Sequence, residues 1–563
     1  MLTRDLSQLA NNSFDAVIVG GGIYGACIAR EAALRGLSTA LVEKADFGHA
    51  TSANSMKIVH GGLRYLQHAD INRMRRSSRE RTALMRIAPH LVHPLPCLMP
   101  IYGHGLKGRE AMAAALLLNH LISYDRNQVD DPQKHLPRGK VISADDCLKL
   151  FPDLTATGLS GAAIWYDAQM YNSERLTLSF ILSAAEQGAQ VANYVNVTGF
   201  LHENNRVTGV KVVDQLTGEP FPIYSEMVIN ASGPWIDHVL NLLSGKPPKL
   251  GIRLAKAVNI MTRPIFDKYA VGVSGRTPVN GSRSDTDRLL FVTPWRDQAL
   301  IGTTYELYDE DPDMLRVTER DLQVLLERIN EICPRAHLTL DDVNRAYCGL
   351  VPASDVNPQS GRFKRAGRYQ IRDHRLDGFA GLISVLGVKY TTARNIAEKV
   401  IDRVQQARGE NVVSSHSDKI PLYGGNIHRF ERFVESATSQ CSLDLSPVAL
   451  RPLLYNYGTA YRDVLRYVRA PFQRGDHRSE ELALLEAQIV YSVRHEMAQK
   501  LSDVIFRRTE VGANGHPGQE TLALCAHIMA DELGWSATKV QHEVEDVEEH
   551  FLLSRSTSEQ RSL

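Results

Sequence analysis

The residues with the clearest chemistry are Gly20, Gly22 and Gly25, spaced Gly-x-Gly-x-x-Gly at the end of the apolar run Phe14 to Gly20. In a dinucleotide fingerprint the first glycine permits a tight turn, the second admits the pyrophosphate, and the third lets helix and strand approach closely. The phosphates then sit at a helix N-terminus, where free N–H groups and the helix dipole favour an anion. Glu43 stands where a carboxylate would accept hydrogen bonds from an adenosine ribose 2′-OH. A second match, Gly103-x-Gly105-x-x-Gly108, precedes SYDRNQVDDPQKHLPRGK, which offers neither a strand nor a ribose-binding acid, so it reads as a loop. One dinucleotide and no separate nicotinamide module is the expectation.

The elements that must position these residues follow from the pattern around them. Phe14 to Gly20 reads as a buried strand, Tyr24 to Arg35 as a helix, and Ser38 to Glu43 as a second strand, a complete βαβ unit. Two later strand-and-glycine segments, Glu226 to Gly233 and Phe379 to Gly387, indicate one nucleotide-binding domain interrupted by insertions. Val207 to Asp214 and Leu289 to Thr304 alternate like strands of an antiparallel substrate-binding layer. The fold class is therefore α/β, a Rossmann domain interrupted by an α+β substrate domain, with an all-α C-terminal domain. Residues 1–408 form the first module, with dinucleotide pieces at about 12–90, 150–240 and 370–408 and substrate pieces at about 91–149 and 241–369. Residues 409–563 form the helical domain, with helical patterns at Val448 to Tyr467, Ser479 to Val504 and Gly518 to Leu533. A last helix starts at Ser536 as N-cap and carries Val540, Val544, Val547 and Phe551 on one face.

Composition bounds the function. Lys plus Arg and Asp plus Glu both number 64 in 563 residues, so the net charge is zero and bulk nucleic-acid binding is excluded. The seven Cys show no CxxC pair and no metal-ligand spacing, which indicates reduced thiols, no metal and a cytoplasmic chain. The first residues lack a signal-peptide pattern, and the longest apolar stretch, Ala111 to Ile122, is too short to span a bilayer. Residues 57–90 hold eight Lys/Arg against Asp70 and Glu80, whereas residues 541–550 hold five acids and no Lys or Arg. A solvated helix face, docking to anionic lipid or an acidic partner, and pairing of the two patches within one chain or between copies remain open readings.

The fingerprint does not choose between FAD and NAD. The segments TSANSMKIVHGGLRYL (51–66), VINASGPW and VLGVKYTTARN, together with Trp165-Tyr166-Asp167 and Asn172 to Leu176, resemble the FAD-dependent glycerol-3-phosphate dehydrogenase family. The resemblance runs from Phe14 to about Arg408 and into the helical domain. It implies a glutathione-reductase-like FAD fold, an antiparallel substrate layer and electron delivery to a quinone or another acceptor at the cytoplasmic membrane surface. By the same resemblance Gly20, Gly22, Gly25 and Glu43, with Ile23, Tyr24 and Lys44 beside them, are diphosphate and ribose contacts. Thr51, Ser52, Ser55, Lys57, His60, Gly61 and Gly62 resemble the flavin-cradling loop, Val195 the adenine contact, and Ala231, Ser232 and Gly233 the small-residue turn against the cofactor. Gly387, Lys389, Tyr390 and Thr391 resemble the segment under the flavin pyrimidine. A helix N-terminus aimed at that edge stabilises the anionic reduced ring.

On the substrate side, Arg64, Tyr65 and Lys389 match residues that line the family's catalytic pocket. Two positions depart from the family: Asn259 stands where it places a His, and Val351 where it places an Arg. An amide is no general base near neutral pH, and a Val cannot clamp a phosphate. Arg253, Lys256, Arg362, Lys364 and Arg365 are the nearby cations that could hold an anion instead, or else a solvated basic surface. Lys389 is the candidate base or its orienter, and equally a residue that only hydrogen-bonds the flavin or a water. His60 reads as loop-shaping because glycines follow it directly. The expected reaction is oxidation of a secondary alcohol on a small anionic substrate by hydride transfer to flavin N5. The rivals are an FAD-dependent amine or amino-acid oxidase and a decayed flavin-holding regulator.

Overall fold

Val17, Ile18 and Val19 are buried in the strand Ser13–Val19, the β-branched pattern that a strand covered on both faces requires. The computed structural model describes residues 2–105, 108–152, 154, 156–274, 289–357, 363–443, 445–469 and 477–551. In it Ser13–Val19 pairs in parallel with Pro220–Asn230 on one side and Thr39–Val42 on the other. Leu382–Leu386 and Gln190–Ala192 extend the parallel array outward. Helices Ile23–Leu34, Ser173–Glu186 and Ala393–Ala407 bury their apolar faces in one core cluster with these strands. The two later strand-and-glycine segments thus return to the first strand, and the interrupted dinucleotide domain is real.

Three assignments are corrected by the pairing. The strand Arg206–Asp214, expected in the substrate layer, pairs antiparallel with Val195–Glu203 and Pro220–Asn230 and belongs to the eight-stranded dinucleotide sheet. Leu159–Met170, expected within the dinucleotide piece at 150–240, pairs along its length with Val92–Tyr102 in the second sheet. The short strand Ile58–Val59, inside the expected piece at 12–90, joins it there.

That second sheet has ten strands and is antiparallel except where Ala270–Ser274 meets Val92–Tyr102. Within it Arg253–Thr262 is flanked by Gln298–Tyr308 and Val343–Ser354. Helix Glu319–Ile332 covers one face, started by a reciprocal capping box between Thr318 and Asp321. Leu322, Leu325 and Ile329 on that helix pack against Val258 and Ile260. Residues alternate across a strand, so Ala257 and Asn259 point to the opposite face, toward the dinucleotide domain.

The C-terminal domain is helical as expected, with two of its expected helices broken. Gly458 ends Pro447–Tyr457, because a Cβ there would overlap the Gly424 carbonyl oxygen. Met497, at φ 54°, follows His477–Glu496, and the chain resumes as Leu501–Asp503 and a π-helical turn, Val504–Arg508. Ser536 caps the last helix through its hydroxyl to the Lys539 N–H, and Val540, Val544, Val547 and Phe551 join one core cluster. Within the acidic stretch, Lys539 pairs with Glu543 and neutralises part of that charge inside the domain, and His516 hydrogen-bonds Glu548. All seven Cys are free thiols, and among the described residues no helix is long and apolar enough to cross a membrane.

Candidate active site

The phosphate end of the site is shaped by backbone contact. A Cβ at Gly25 would overlap the Gly20 carbonyl oxygen, and one at Gly20 would lie 2.8 Å from the Ala231 carbonyl oxygen. Strand, helix and the Ala231-Ser232-Gly233 turn therefore close on one another only without side chains. At Gly22 a Cβ would meet nothing nearer than the Ser52 hydroxyl at 3.2 Å, so this glycine leaves room for a ligand. Gly22 is the N-cap of Ile23–Leu34 and supplies no side-chain cap, while Ser52 accepts the Ile23 N–H at 3.0 Å. The Glu43 carboxylate accepts the Gly21 and Ala45 amides at 2.6 and 3.0 Å, fixing it at the mouth of the loop. Val195 donates its N–H to the Glu43 carbonyl at 2.8 Å, which places the expected adenine and ribose contacts side by side. Lys44 lies over the Trp235 ring at 4.1 Å and pairs with Asp313 at 2.5 Å. A narrow, amide-lined cradle with an acid at its end fits an adenine dinucleotide.

The loop after it is held from behind by residues expected to face the flavin. Thr51 donates to the Leu350 carbonyl at 3.0 Å and accepts its N–H at 3.2 Å, tying the loop to the second sheet. Lys57 is buried, pairs with Glu174 at 2.9 Å and sits over the Trp295 ring, so its ammonium is a strut under the loop and not a flavin contact. Ser55 offers its carbonyl to the Tyr347 hydroxyl at 3.1 Å. At the opposite end, the Tyr24 hydroxyl donates to the Lys389 carbonyl at 2.8 Å and accepts the Val388 and Lys389 amides. Its ring fills the space a Cβ on Gly387 would need. Helix Ala393–Ala407 begins there without a side-chain cap at Thr392, leaving first-turn amides for another acceptor. The Tyr390 side chain turns away, accepting or donating with Thr177 and donating to the Ser173 carbonyl, so that residue serves through its backbone.

The candidate reacting groups meet beside this segment. The Lys389 ammonium lies 3.8 Å from the Tyr65 ring centroid, and Arg73 covers the same ring at 4.4 Å. Burial first, and the like charge of Arg64 second, push the Lys389 ammonium down to about 7. Four residues before Arg64, the half-exposed His60 places Nδ1 3.2 Å from Asp167. Asp167 also accepts the Gly61 N–H at 2.6 Å and Arg81 at 2.9 Å. Burial raises its pKa, but His60, Arg81 and the Gly61 amide outweigh this and hold the carboxyl down at about 2. Here His60 is part of an Asp–His pair as well as of the loop, a role that its following glycines did not suggest. Asn259 is buried and accepts the Thr303 hydroxyl at 2.8 Å, close to Met56 of the flavin loop. It is a fixed amide at the sheet face and carries no base.

Register decides which cation can hold an anion. Asn259 opposes Tyr347, Ala257 opposes Gly349 and Tyr305, and Ala255 opposes Val351, so these residues share the face turned to the flavin loop. Arg365 opposes Ala353 on the next strand and joins that face. Its guanidinium stacks over the Tyr305 ring at 4.4 Å and donates to the Tyr305 hydroxyl at 2.6 Å. The other cations are engaged elsewhere: Arg253 with Asp309, Lys256 with Asp321 on the far face, and Lys364 with Asp355. Arg362 lies outside the described residues. The basic run 57–90 is largely paired too, which corrects its reading as a solvated face. Arg75 grips Asp125, Arg81 reaches Asp167, and Arg86 donates to the Gln128 carbonyl. Arg73 remains at the pocket, where a Cβ on Gly367 would lie 3.2 Å from its guanidinium. Asp167, Thr303, Tyr305 and Arg73 are the site residues that sequence reasoning missed.

A Rossmann domain whose cradle fits an adenine dinucleotide, roofed by a mostly antiparallel sheet, defines a flavin-dependent oxidoreductase. Residues 15–399 match the family model for FAD dependent oxidoreductases, and residues 415–540 match that for the C-terminal domain of alpha-glycerophosphate oxidase. The chain belongs to the first family, and FAD is its cofactor. Within that class it belongs to the glycerol-3-phosphate dehydrogenase family. It is 32% identical over 559 residues to the glycerol-3-phosphate dehydrogenase of Synechocystis sp., covering 97% of this chain and 98% of that protein. It is 29% identical over 552 residues to the aerobic glycerol-3-phosphate dehydrogenase of Staphylococcus epidermidis, covering 96% and 95%. The structure of the glycerol-3-phosphate dehydrogenase from Bacillus halodurans complexed with FAD superposes with a TM-score of 0.75 at 26% identity, over 97% of this chain and 96% of that one.

Proposed function

We propose that the chain oxidises the secondary hydroxyl of glycerol 3-phosphate and delivers the electrons to a quinone. The observation that carries this reading is the cluster of Lys389, Arg64 and Tyr65 beside the expected flavin segment, with Arg365 and Tyr305 on the sheet face turned to the flavin loop. One group near neutral pKa and two guanidiniums suit an alcohol that carries a phosphate. Bound in the cradle, FAD supplies the hydride acceptor. Lys389, neutral in half or more of the molecules at pH 7 and above, accepts the hydroxyl proton at Nζ. The Tyr65 ring, its centroid 3.8 Å from Lys389 Nζ, walls the side of that amine. Arg365, oriented by stacking and by its bond to Tyr305, takes over the anion clamp that Val351 cannot provide. The relatives named for glycerol 3-phosphate support the same substrate.

A second assignment of the base rests on the His60–Asp167 pair. Asp167 fixes the ring through Nδ1, so the opposite nitrogen could accept the same proton. Anaerobic flavin reduction by glycerol 3-phosphate in Lys389→Met and His60→Gln separates the two, since only the base variant loses the ionisation that governs the rate.

For the acceptor, helix Arg109–Ile122 supports contact with a lipid surface where a quinone resides. Leu117 and Leu121 are 62% and 61% exposed, and Tyr124 just beyond is 73% exposed. Arg109 opens the helix and supplies a basic flank. Sedimentation with anionic liposomes tests this, and Leu117→Asp with Leu121→Asp abolishes pelleting if the helix is the contact.

A further inference from the structure

The loop that ends in Glu43 is gripped from outside by the C-terminal domain. Three residues after Glu43, the fully buried Asp46 accepts Arg507 Nε at 2.5 Å and two nitrogens of Arg508 at 2.8 and 2.7 Å. Both arginines belong to the π-helical turn Val504–Arg508. The next strand is held by the same segment. Asn193 donates to Asp46 at 3.1 Å and to the Met497 carbonyl at 2.8 Å, and the Tyr194 hydroxyl donates to Asp503 at 2.6 Å. Tyr194 and Val195 in turn donate their amides to the Ala45 and Glu43 carbonyls. Arg175 pairs with Glu496 behind them at 2.7 Å. Three carboxylates, Asp46, Glu496 and Asp503, thus face three guanidiniums, Arg175, Arg507 and Arg508. The cluster is balanced in charge and closed to water. Burial alone would push the Asp46 carboxyl up, yet the two arginines hold it well below the usual carboxylate range.

Such a cluster does not primarily add stability, since desolvating its ions costs about what their attraction returns. What it does provide is geometry: a buried network of charge-assisted hydrogen bonds restricts the arrangement of its partners. The partners here are the two short stretches, 43–46 and 193–195, that carry the expected ribose and adenine contacts.

We infer that the C-terminal helical domain is a cofactor-retention element that fixes the adenosine end of the FAD site through Asp46 and the 503–508 turn. Asp46, Arg507 and Arg508 are positioning residues, acting through Glu43 and Val195. The domain then contributes to the reaction by keeping the flavin bound.

The test is FAD release from the full-length holoenzyme, followed as the rise of free-flavin fluorescence after dilution, together with titration of the full-length apoprotein with ADP and with FMN. Arg508→Gln is expected to speed FAD release at least tenfold and to weaken ADP by a similar factor, while FMN, which lacks the adenosine, binds as to wild type. Arg508→Lys is expected to recover part of the loss. Arg494→Gln, which removes the exposed C-terminal pair with Glu532, leaves every value unchanged. If Arg508→Gln fails to fold, Tyr194→Phe removes only the hydroxyl bond to Asp503, and about threefold faster release is expected. Wild-type release in a folded Arg508→Gln or in Tyr194→Phe overturns the inference. Equal loss of ADP and FMN overturns it as well, because that is the signature of general destabilisation.

Discussion

Replacing Lys389 by Met removes the ammonium but keeps an unbranched chain of similar length against the Tyr65 ring, so the wall of the pocket survives. The native lysine sits at about 7 because burial and Arg64 both disfavour its charge. At pH 6, one unit below that value, about a tenth of the molecules carry the neutral amine. The first-order rate of flavin reduction by glycerol 3-phosphate should therefore be about a tenth of its plateau at pH 6. It should rise through half-maximum near 7 and level off above pH 8. In Lys389→Met that limb disappears, and the plateau rate falls about a hundredfold to ten-thousandfold, the span expected for losing a positioned general base. Folding does not confound the result, because the substitution takes a cation out of a site where burial opposes it. Arg64→Gln supplies an internal check. It removes the smaller of the two causes, so the limb moves to higher pH but stops well short of a free lysine. Anaerobic stopped-flow across pH 5.5 to 9 reads all three proteins. A Lys389→Met enzyme that keeps both its rate and its limb refutes the assignment, and the His60–Asp167 pair becomes the base.

Other expectations follow from the same geometry. Arg365→Met should raise the KM for glycerol 3-phosphate at least tenfold with a smaller change in kcat, and Tyr305→Phe should raise it only a few-fold, read by steady-state kinetics with an artificial acceptor. Gly25→Ala should give a colourless protein, because the added methyl overlaps the Gly20 carbonyl oxygen; an absorbance spectrum of the purified chain is enough to decide. Wild-type protein should pellet with anionic liposomes at low salt, and Leu117→Asp with Leu121→Asp should not.

How much of this was readable beforehand depends on how local each signal is. The cradle was legible because its glycines, strand, helix and acid fall within one short βαβ unit with a fixed spacing. Lys389 was legible for a similar reason, since Gly387 and the helix after Thr391 mark its place. The His60–Asp167 pair was not legible because Asp167 lies 107 residues away and reaches His60 through the pairing of Ile58–Val59 with Leu159–Met170. Arg365 was one of five cations with equal claims until strand register put it on the same face as Tyr305, 60 residues earlier. Period-two alternation marks a strand without naming its sheet, which is why Arg206–Asp214 was placed in the wrong layer. The run of arginines at 73–86 looked exposed because composition counts charges and not partners, and Asp125 and Asp167 come from other segments. Asp46 gave no signal at all, since its importance depends on a turn more than four hundred and fifty residues further on.

The central claim is that this site takes hydride from the secondary alcohol of glycerol 3-phosphate. Anaerobic mixing of the purified yellow protein with glycerol 3-phosphate, and separately with amino acids, while following the visible flavin band, tests it most directly. Glycerol 3-phosphate should bleach the band completely, one flavin per substrate oxidised, and amino acids should not bleach it. Bleaching by an amino acid with none by glycerol 3-phosphate, or a flavin that stays oxidised with both, would contradict it.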